Sequence, residues 1–238
     1  MNYGKKSVKQ KKKALQSTSS KLGRKCLLTF SKVLLLCVIA IGIIGICAGL
    51  GVFKGIIDSA PTITLEDATP TRYSSFIYDS KGNQMAKLIA EDSNRVPVTM
   101  DQIPTDLANA FVAIEDERFY DHNGIDLQGI LRAGLKGVAS GFHFSEGAST
   151  ITQQLLKNTV FTQWTSEQSM ADKFERKFQE QYLALQLEKV VDKDWILENY
   201  LNAINLGQNT LGVGVASERY FGKDVSDLTL SECAVLAA

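Results

Sequence analysis

The segment PTDLANAFVAIEDERFYDHNG, residues 104–124, predicts an amphipathic helix that ends in a run of acidic residues. Pro104 and the Thr and Asp after it are a typical helix-start signal. The apolar residues that follow recur at helical spacing, which predicts one buried stripe along a helix over residues 105–119. The members of this stripe are Leu107, Ala110, Phe111 and Ile114.

Two carboxylates close this predicted helix. At 100° per residue, Glu115 falls about 80° from Leu107, at the edge of the apolar stripe, whereas Asp116 points to nearly the opposite side. We therefore expect Glu115 to be half-buried and Asp116 to face outward. A carboxylate at an apolar margin suits general acid or base catalysis, although a helix that ends in solvent carries the same residue types.

A second polar cluster runs from Glu146 to Asn158. Gly147 and Ser149 precede a helix predicted over residues 150–158. A helix start of this kind exposes backbone N–H groups and a capping hydroxyl, to which phosphate oxygens can bind. Gln153 and Lys157 lie four residues apart on one face of that helix. An ordinary capped helix remains the alternative interpretation.

A third cluster combines Arg176, Lys177 and Glu180 on a long helix predicted over residues 170–191. Spacings of three and four residues place the two cations next to the carboxylate. One interpretation is a pair of surface salt bridges. The other is an anion site, because paired cations oriented by a carboxylate can hold a diphosphate.

The remaining pattern is also mostly helical. A β-hairpin is predicted from two short apolar runs, residues 76–78 and 85–88, on either side of a turn at 79–83. Further helices are predicted over residues 126–139, 194–206 and 231–238. The sequence stops at Ala238 inside an apolar helical pattern without a cap, which predicts that the parent chain continues.

The N-terminus predicts a membrane anchor. Residues 33–53 are apolar and uncharged, and a bilayer core requires about 20 such residues. A cleaved secretory signal is the alternative, but its apolar region is usually shorter. The preceding residues 1–32 are basic, which predicts a cytoplasmic tail and an external remainder, rather than a nucleic-acid-binding run. Residues 54–71 are predicted to form a stalk before a domain over residues 72–238.

The charge and the cysteines exclude several classes. All 26 acidic residues lie from Asp58 onward, whereas 11 of the 26 basic residues precede it, so the later part has a net charge of about −11. Such an acidic domain is not expected to bind nucleic acid. Three of the four cysteines lie in or beside the apolar segment, and only Cys233 lies beyond it. This excludes a disulfide framework within this chain.

Five motifs follow one another in a characteristic order. They are Glu115-Asp116-x-x-Phe119-x-x-His122-x-Gly124, Gly147-x-Ser149-Thr150-Ile151-Thr152-Gln153-Gln154, Arg176-Lys177-x-x-Glu180, Lys193-x-x-Ile196-Leu197-x-x-Tyr200-Leu201-Asn202 and Arg219-Tyr220-Phe221-Gly222-Lys223. Together they resemble the peptidoglycan glycosyltransferase domain of class A penicillin-binding proteins and monofunctional transglycosylases. The resemblance covers residues 76–238.

This resemblance implies a mainly helical, lysozyme-like domain that polymerises lipid II, releases undecaprenyl diphosphate and inverts the sugar carbon. Glu115 would be the general base, Glu180 the second catalytic acid residue, and Asp116 a support. The cations that neutralise the diphosphate would be Lys157, Arg176 and Lys177. The substrate would accept or donate hydrogen bonds at Ser149, Gln153, Gln154 and Asn158.

The resemblance also implies partners and a location. The partners would be lipid II, the growing lipid-linked strand, the membrane and proteins of wall synthesis or division, with the domain outside the cell membrane on a single-pass anchor. No required cofactor follows from it, but a divalent cation, Mg²⁺ or Mn²⁺, has a place at the diphosphate. His122 and His143 are expected to be structural or exposed. The chain departs from the family at Gln179 and in residues 162–172, where basic residues occur in other members.

Two other functions fit parts of the pattern. A wall-degrading hydrolase with a lysozyme-like fold also uses two acidic residues. A non-catalytic, membrane-anchored assembly factor could bind the wall precursor alone. The Ser-x-x-Lys and Lys-Thr-Gly signatures of penicillin-reactive enzymes do not occur in these 238 residues, so this chain is not expected to be acylated by penicillin.

Overall fold

A computed structural model describes residues 4–15, 18–141, 147–167 and 169–238, with side chains from residue 22 onward in the second helix. Glu146 and His143, both named above, lie outside the described residues. The chain forms two compact units, Met1–Asp58 and Ser59–Ala238. The sequence-based division into tail, span, stalk and domain stays a prediction.

The first unit is helical. It consists of α1 (Lys5–Leu15) and the long α2 (Thr18–Asp58). Leu22–Asp58 is the one helix in the described residues that is long and apolar enough to cross a membrane, by length and composition. It includes the predicted segment 33–53 and extends beyond both of its ends. A helix at Lys5–Leu15 was not predicted, because that segment has lysines where an apolar stripe would lie.

The second unit begins with the predicted hairpin. Strands β1 (Ser75–Tyr78) and β2 (Gln84–Leu88) pair antiparallel, with Ser75 opposite Leu88 and a bulge between Ile77 and Tyr78. The Asp79 side chain closes the turn by accepting hydrogen bonds from the backbone N–H groups of Lys81 and Asn83, both at 2.8 Å. The hairpin prediction is confirmed.

Helices form nearly all the rest of the second unit. They are α3 (Thr105–Glu115), α4 (Leu127–Ala139), α5 (Ile151–Thr159), α6 (Met170–Leu187), α7 (Lys193–Ala203), α8 (Val213–Phe221) and α9 (Leu230–Ala237), with short 3₁₀ turns at Met100–Gln102, Trp164–Ser166 and Val225–Asp227. The expected mainly helical fold with a small hairpin is confirmed.

Several boundaries differ from the predictions. α3 ends at Glu115 rather than at residue 119, because Asp116 leaves helical geometry with φ −159° and ψ 74°. α6 ends at Leu187 rather than at 191, and α7 at Ala203 rather than at 206. α8 was not predicted because glycines surround it: Gly212 begins it at φ 79° and Gly222 ends it at φ 67°. Both angles favour glycine.

The core is built around α5 and α7. α5 packs against α7 and α6, while α3 packs against α9. Leu107, Phe111, Leu155 and Tyr200 are buried in one cluster with residues from all five helices. Ala68, within the predicted stalk, is also buried in this core. Part of the stalk range therefore packs on the domain.

Ile114 corrects one detail of the predicted stripe. Its side chain is 56% exposed, whereas Leu107 and Phe111 are buried as expected. Ile114 lies in the last turn of α3, and it lines a cavity instead of the core. Helical spacing identifies a face, but it does not show where along the helix the packing stops.

Candidate active site

The end of α3 separates the two carboxylates. Glu115, the last helical residue, is half-buried, as predicted. Asp116 is only 7% exposed, so the prediction that it faces outward is wrong. The 100° count assumed a continuing helix, but the chain leaves the helix at Asp116 and the side chain turns inward.

Asp116 connects the end of α3 to the start of α5. Its carboxylate accepts a hydrogen bond from the Ile151 backbone N–H at 3.0 Å. Both of its oxygens lie 3.0 Å from Nε2 of His122, which is also buried. A carboxylate at a helix N-terminus is favoured by the helix dipole. Asp116 therefore fixes the end of α3 relative to the start of α5, and its supporting role stays a prediction.

Glu115 is hydrogen-bonded to α5, one turn after Ile151. The Gln154 Nε2 group donates a hydrogen bond of 2.7 Å to Glu115 Oε2. The buried hydroxyl of Tyr200, on α7, is close enough to Glu115 that this charge adds to burial in raising the pKa of the tyrosine. Glu115 therefore lies between α5 and α7 with one carboxylate oxygen oriented by Gln154.

The first turn of α5 is anchored inside the domain. The Thr150 hydroxyl accepts from the Gln153 backbone N–H and donates to the Gly124 carbonyl at 2.9 Å. The buried Gln153 amide also donates to that carbonyl, at 3.1 Å. Gly124 has φ 88°, and a Cβ there would lie 2.8 Å from the backbone of Ala184. We therefore expect Gln153 to hold Gly124 rather than to contact substrate.

The predicted cationic cluster is present on α6. Arg176 and Lys177 both contact Glu180, which is fully buried, and the Lys177 ammonium lies 2.8 Å from the carboxylate. Lys177 also donates to the Ser149 hydroxyl at 2.7 Å, which joins α6 to the segment before α5. A buried carboxylate with two cations is strongly held. Ser149, Arg176, Lys177 and Glu180 are thus brought together as predicted.

Lys157 is close enough to Glu115 and to this cluster for the charges of both to act on it. Burial lowers the pKa of Lys157, as do the charges of Lys177 and Arg176, while Glu180 and Glu115 act in the opposite direction. The Lys157 ammonium lies 4.5 Å from the centre of the Trp164 ring, within cation–π range. Asn158, half-buried, follows it near the end of α5.

A cavity opens beside Glu115. It is lined by residues 113–118, by Asp126, Gly129 and Arg132 near the start of α4, and by residues 147–150. Arg118 contacts Asp126, the residue before α4, with 2.5 Å between its guanidinium and the carboxylate. That contact lowers the pKa of Asp126 and raises the pKa of Arg118. The ion pair ties the start of α4 to the segment that follows Glu115.

The residues around the cluster do not by themselves form a metal site. Among the described residues no group of three or more His, Cys, Asp or Glu side chains could hold a metal ion. Both oxygens of Glu180 are taken by Arg176 and Lys177. A divalent cation at a bound diphosphate stays a prediction, and no chemical step is derived from it.

Some contacts of the site were not predicted. Glu167 holds Arg176 from the loop before α6, with 2.7 Å between Oε1 and Nε, and Trp164 covers Lys157 from the same loop. Helical spacing gives no signal for either, because both lie outside regular helices. Gln154 was predicted as a substrate contact, whereas its amide is bonded to Glu115. The motif contained His122, but its contact with Asp116 depends on the turn after α3.

Comparison with known proteins agrees with this geometry. The family model described as Transglycosylase matches residues 81–238. The chain is 42% identical over 231 residues to penicillin-binding protein 1A of Clostridium perfringens, covering 96% of this chain and 26% of that protein. It is 41% identical over 209 residues to penicillin-binding protein 1A of Escherichia coli, covering 87% of this chain and 23% of that protein. The chain thus spans about a quarter of the length of these relatives. With five ordered motifs and a family model across most of the second unit, the chain belongs to the transglycosylase family.

Proposed function

We propose that this chain polymerises lipid II into glycan strands and releases undecaprenyl diphosphate, with Glu115 as the general base. The observation that carries the proposal is that α5, whose Gln154 bonds Glu115, packs against α6, which bears the bonded group of Arg176, Lys177 and Glu180. Glycan polymerisation requires a base for the acceptor and stabilisation of a departing diphosphate, and these two groups supply both.

In the proposed reaction Glu115 takes the proton from the acceptor hydroxyl. The hydroxyl oxygen forms a bond to the sugar carbon of the donor on the face opposite the diphosphate. The bond from that carbon to the diphosphate oxygen breaks, and the electron pair leaves with the diphosphate, so the configuration inverts. Lys157, Arg176 and Lys177 neutralise the negative charge that develops, which is a large contribution to catalysis at an ordered site.

Gln154 and Asp116 position the base rather than react. Gln154 donates to one oxygen of Glu115, which leaves the other oxygen for the acceptor proton. Asp116 fixes the end of α3 through Ile151 and His122. A base held in this manner keeps the geometry that proton transfer requires.

Exposed apolar side chains on α4 favour the proposal that the substrate is linked to a lipid. Leu127, Leu131, Leu135 and Val138 are each more than half exposed on this helix, beside the cavity that contains Glu115. Exposed apolar patches of this kind are typical of membrane or partner contacts. With the apolar α2 and the basic N-terminus, they support a domain that works at the outer face of a cell membrane, where wall synthesis and division proteins would be its partners.

The test is incubation of the detergent-solubilised chain with lipid II and, separately, with preformed glycan. We expect lipid II to yield long glycan and undecaprenyl diphosphate, and preformed glycan to stay intact. Shortened glycan without polymer would establish the hydrolase instead. Binding of lipid II without turnover would establish the assembly factor.

A further inference from the structure

The loop between α5 and α6 contacts two of the three cations expected at the diphosphate. Trp164 covers the Lys157 ammonium, and Glu167, at the end of the same 3₁₀ turn, accepts a hydrogen bond of 2.7 Å from Arg176 Nε. One short segment outside the five motifs therefore reaches both cations.

Glu167 is held in a largely buried position. Its side chain is 16% exposed and that of Arg176 is 14% exposed. The Glu167 Oε2 atom is buried and has no hydrogen-bond partner among the described residues. A buried carboxylate oxygen without a partner costs free energy. The contact with Arg176 offsets the cost of burial for only one of the two carboxylate oxygens.

The charges of this group nearly cancel. Arg176 already contacts Glu180, so Glu167 is its second carboxylate. Lys157, Arg176 and Lys177 give three positive charges, and Glu167 and Glu180 give two negative ones, which leaves a single positive charge for an incoming dianion. Burial lowers the pKa of Arg176, but the two carboxylates outweigh it and raise that pKa overall. Arg176 is therefore cationic and already paired.

We propose that Glu167 is an internal anion that competes with the diphosphate for Arg176 and so limits how tightly the site holds it. This inference rests on the proposed function, and it assigns Glu167 as a positioning residue of the leaving-group site. Tight binding of the departing diphosphate delays its release, and product release limits the turnover of many enzymes. A site with a weaker net charge releases the diphosphate product more readily.

Replacing Glu167 by Gln tests this directly. The variant keeps the shape of the side chain and raises the net charge of the group from one to two. We expect the full chain in detergent micelles to bind inorganic diphosphate roughly three- to tenfold more tightly than the unaltered chain, by calorimetry at low ionic strength. Glu167→Ala should shift the affinity in the same direction. The ratio should persist at high salt, because largely buried charges are screened much less than exposed ones.

Glu91→Gln is the matched control. Glu91 is exposed in the segment after β2, so this change alters the net charge of the chain equally but outside the cluster. We expect its affinity to stay within about twofold of the unaltered chain. Thermal unfolding of each variant establishes that the domain is folded.

Unchanged or weaker diphosphate binding in folded Glu167→Gln would overturn the inference, as would equal tightening in Glu91→Gln. Either result leaves lipid II polymerisation by the unaltered chain standing. If the unaltered chain binds no diphosphate and makes no polymer, the proposed function itself fails. The two failures are therefore distinguishable.

Discussion

At the scale of single residues, the site depends on where each helix ends. Glu115 stays in the last turn of α3, and Asp116 leaves it, so adjacent carboxylates have different surroundings. Glu115 contacts Gln154 beside a cavity, while Asp116 is buried against His122 and Ile151. These surroundings fit the roles proposed for the two residues, Glu115 as the base and Asp116 as its support.

Lys157 gives a prediction of pH dependence. Burial lowers its pKa, so it loses its proton at a lower pH than an ordinary lysine, whose pKa is about 10.4. Because the charged form is the one proposed to bind diphosphate, we expect the affinity for diphosphate to fall on the alkaline side, beginning below that pH. Lys157→Arg should lose less affinity over this range, because arginine stays protonated. Calorimetric titration with inorganic diphosphate measures this.

Lys173→Arg is the control for that experiment, since Lys173 is exposed on α6. Its pH profile should match that of the unaltered chain. If the diphosphate affinity of Lys157→Arg falls with rising pH in parallel with that of the unaltered chain, deprotonation of Lys157 does not cause the fall.

Gly124 gives a prediction of stability. It has φ 88°, and an added Cβ would lie 2.8 Å from the Ala184 backbone, whereas Gly82 has φ 84° and open space around it. Both Gly→Ala changes carry the cost of a left-handed backbone, about 1 kcal/mol or more. Only Gly124→Ala adds a clash, for which we expect roughly 1–3 kcal/mol further destabilisation. Denaturant unfolding compares the two, and equal losses would refute the close approach to α6.

At the scale of elements, α4 is anchored at its N-terminus. Asp126 precedes the helix and contacts Arg118, so the start of α4 is tied to the segment after Glu115. Along its length the helix exposes large apolar side chains. The contact between Asp126 and Arg118 therefore connects α4 to the segment that lines the cavity.

Two glycines of α4 test this anchor. A Cβ at Gly129 would lie 2.3 Å from the Asp126 carboxylate, whereas a Cβ at Gly134 meets nothing within 4 Å. Gly134→Ala should stabilise the helix by about 0.5–1 kcal/mol through propensity alone. Gly129→Ala should not be stabilised in this way, because the added Cβ displaces Asp126 from Arg118. We expect the same displacement to reduce polymerisation. Equal stability and equal activity in the two variants would contradict the anchor.

The sequence predicted the elements better than their ends. The hairpin followed from turn residues around Asp79, and α5 from Thr150 before an apolar pattern, because both signals are local. The end of α3 and the start of α8 depended on backbone angles at Asp116 and Gly212 that periodicity does not report. Glu167 and Trp164 could not be assigned, because a loop residue finds its partner only in the folded chain.

At the scale of the whole molecule, the two units differ in charge and apolarity. The basic residues before the apolar segment 33–53 predict an N-terminus inside the cell and a domain outside. We expect protease added to intact spheroplasts to digest the domain but to spare a tag placed at the N-terminus. In permeabilised spheroplasts both should be digested. Protection of the domain in intact spheroplasts would reverse the proposed orientation.

Loss of catalysis in Glu115→Gln tests the central claim most directly. Lipid II polymerisation and lipid II binding are measured together in the unaltered chain, in Glu115→Gln and in Asp121→Asn, an exposed carboxylate a few residues further on. We expect Glu115→Gln to polymerise at least 100-fold more slowly while binding within a few fold, since a general base contributes about 10²–10⁴ in rate. Asp121→Asn should be unaffected in both measurements. Near-normal polymerisation by Glu115→Gln would show that another group removes the acceptor proton.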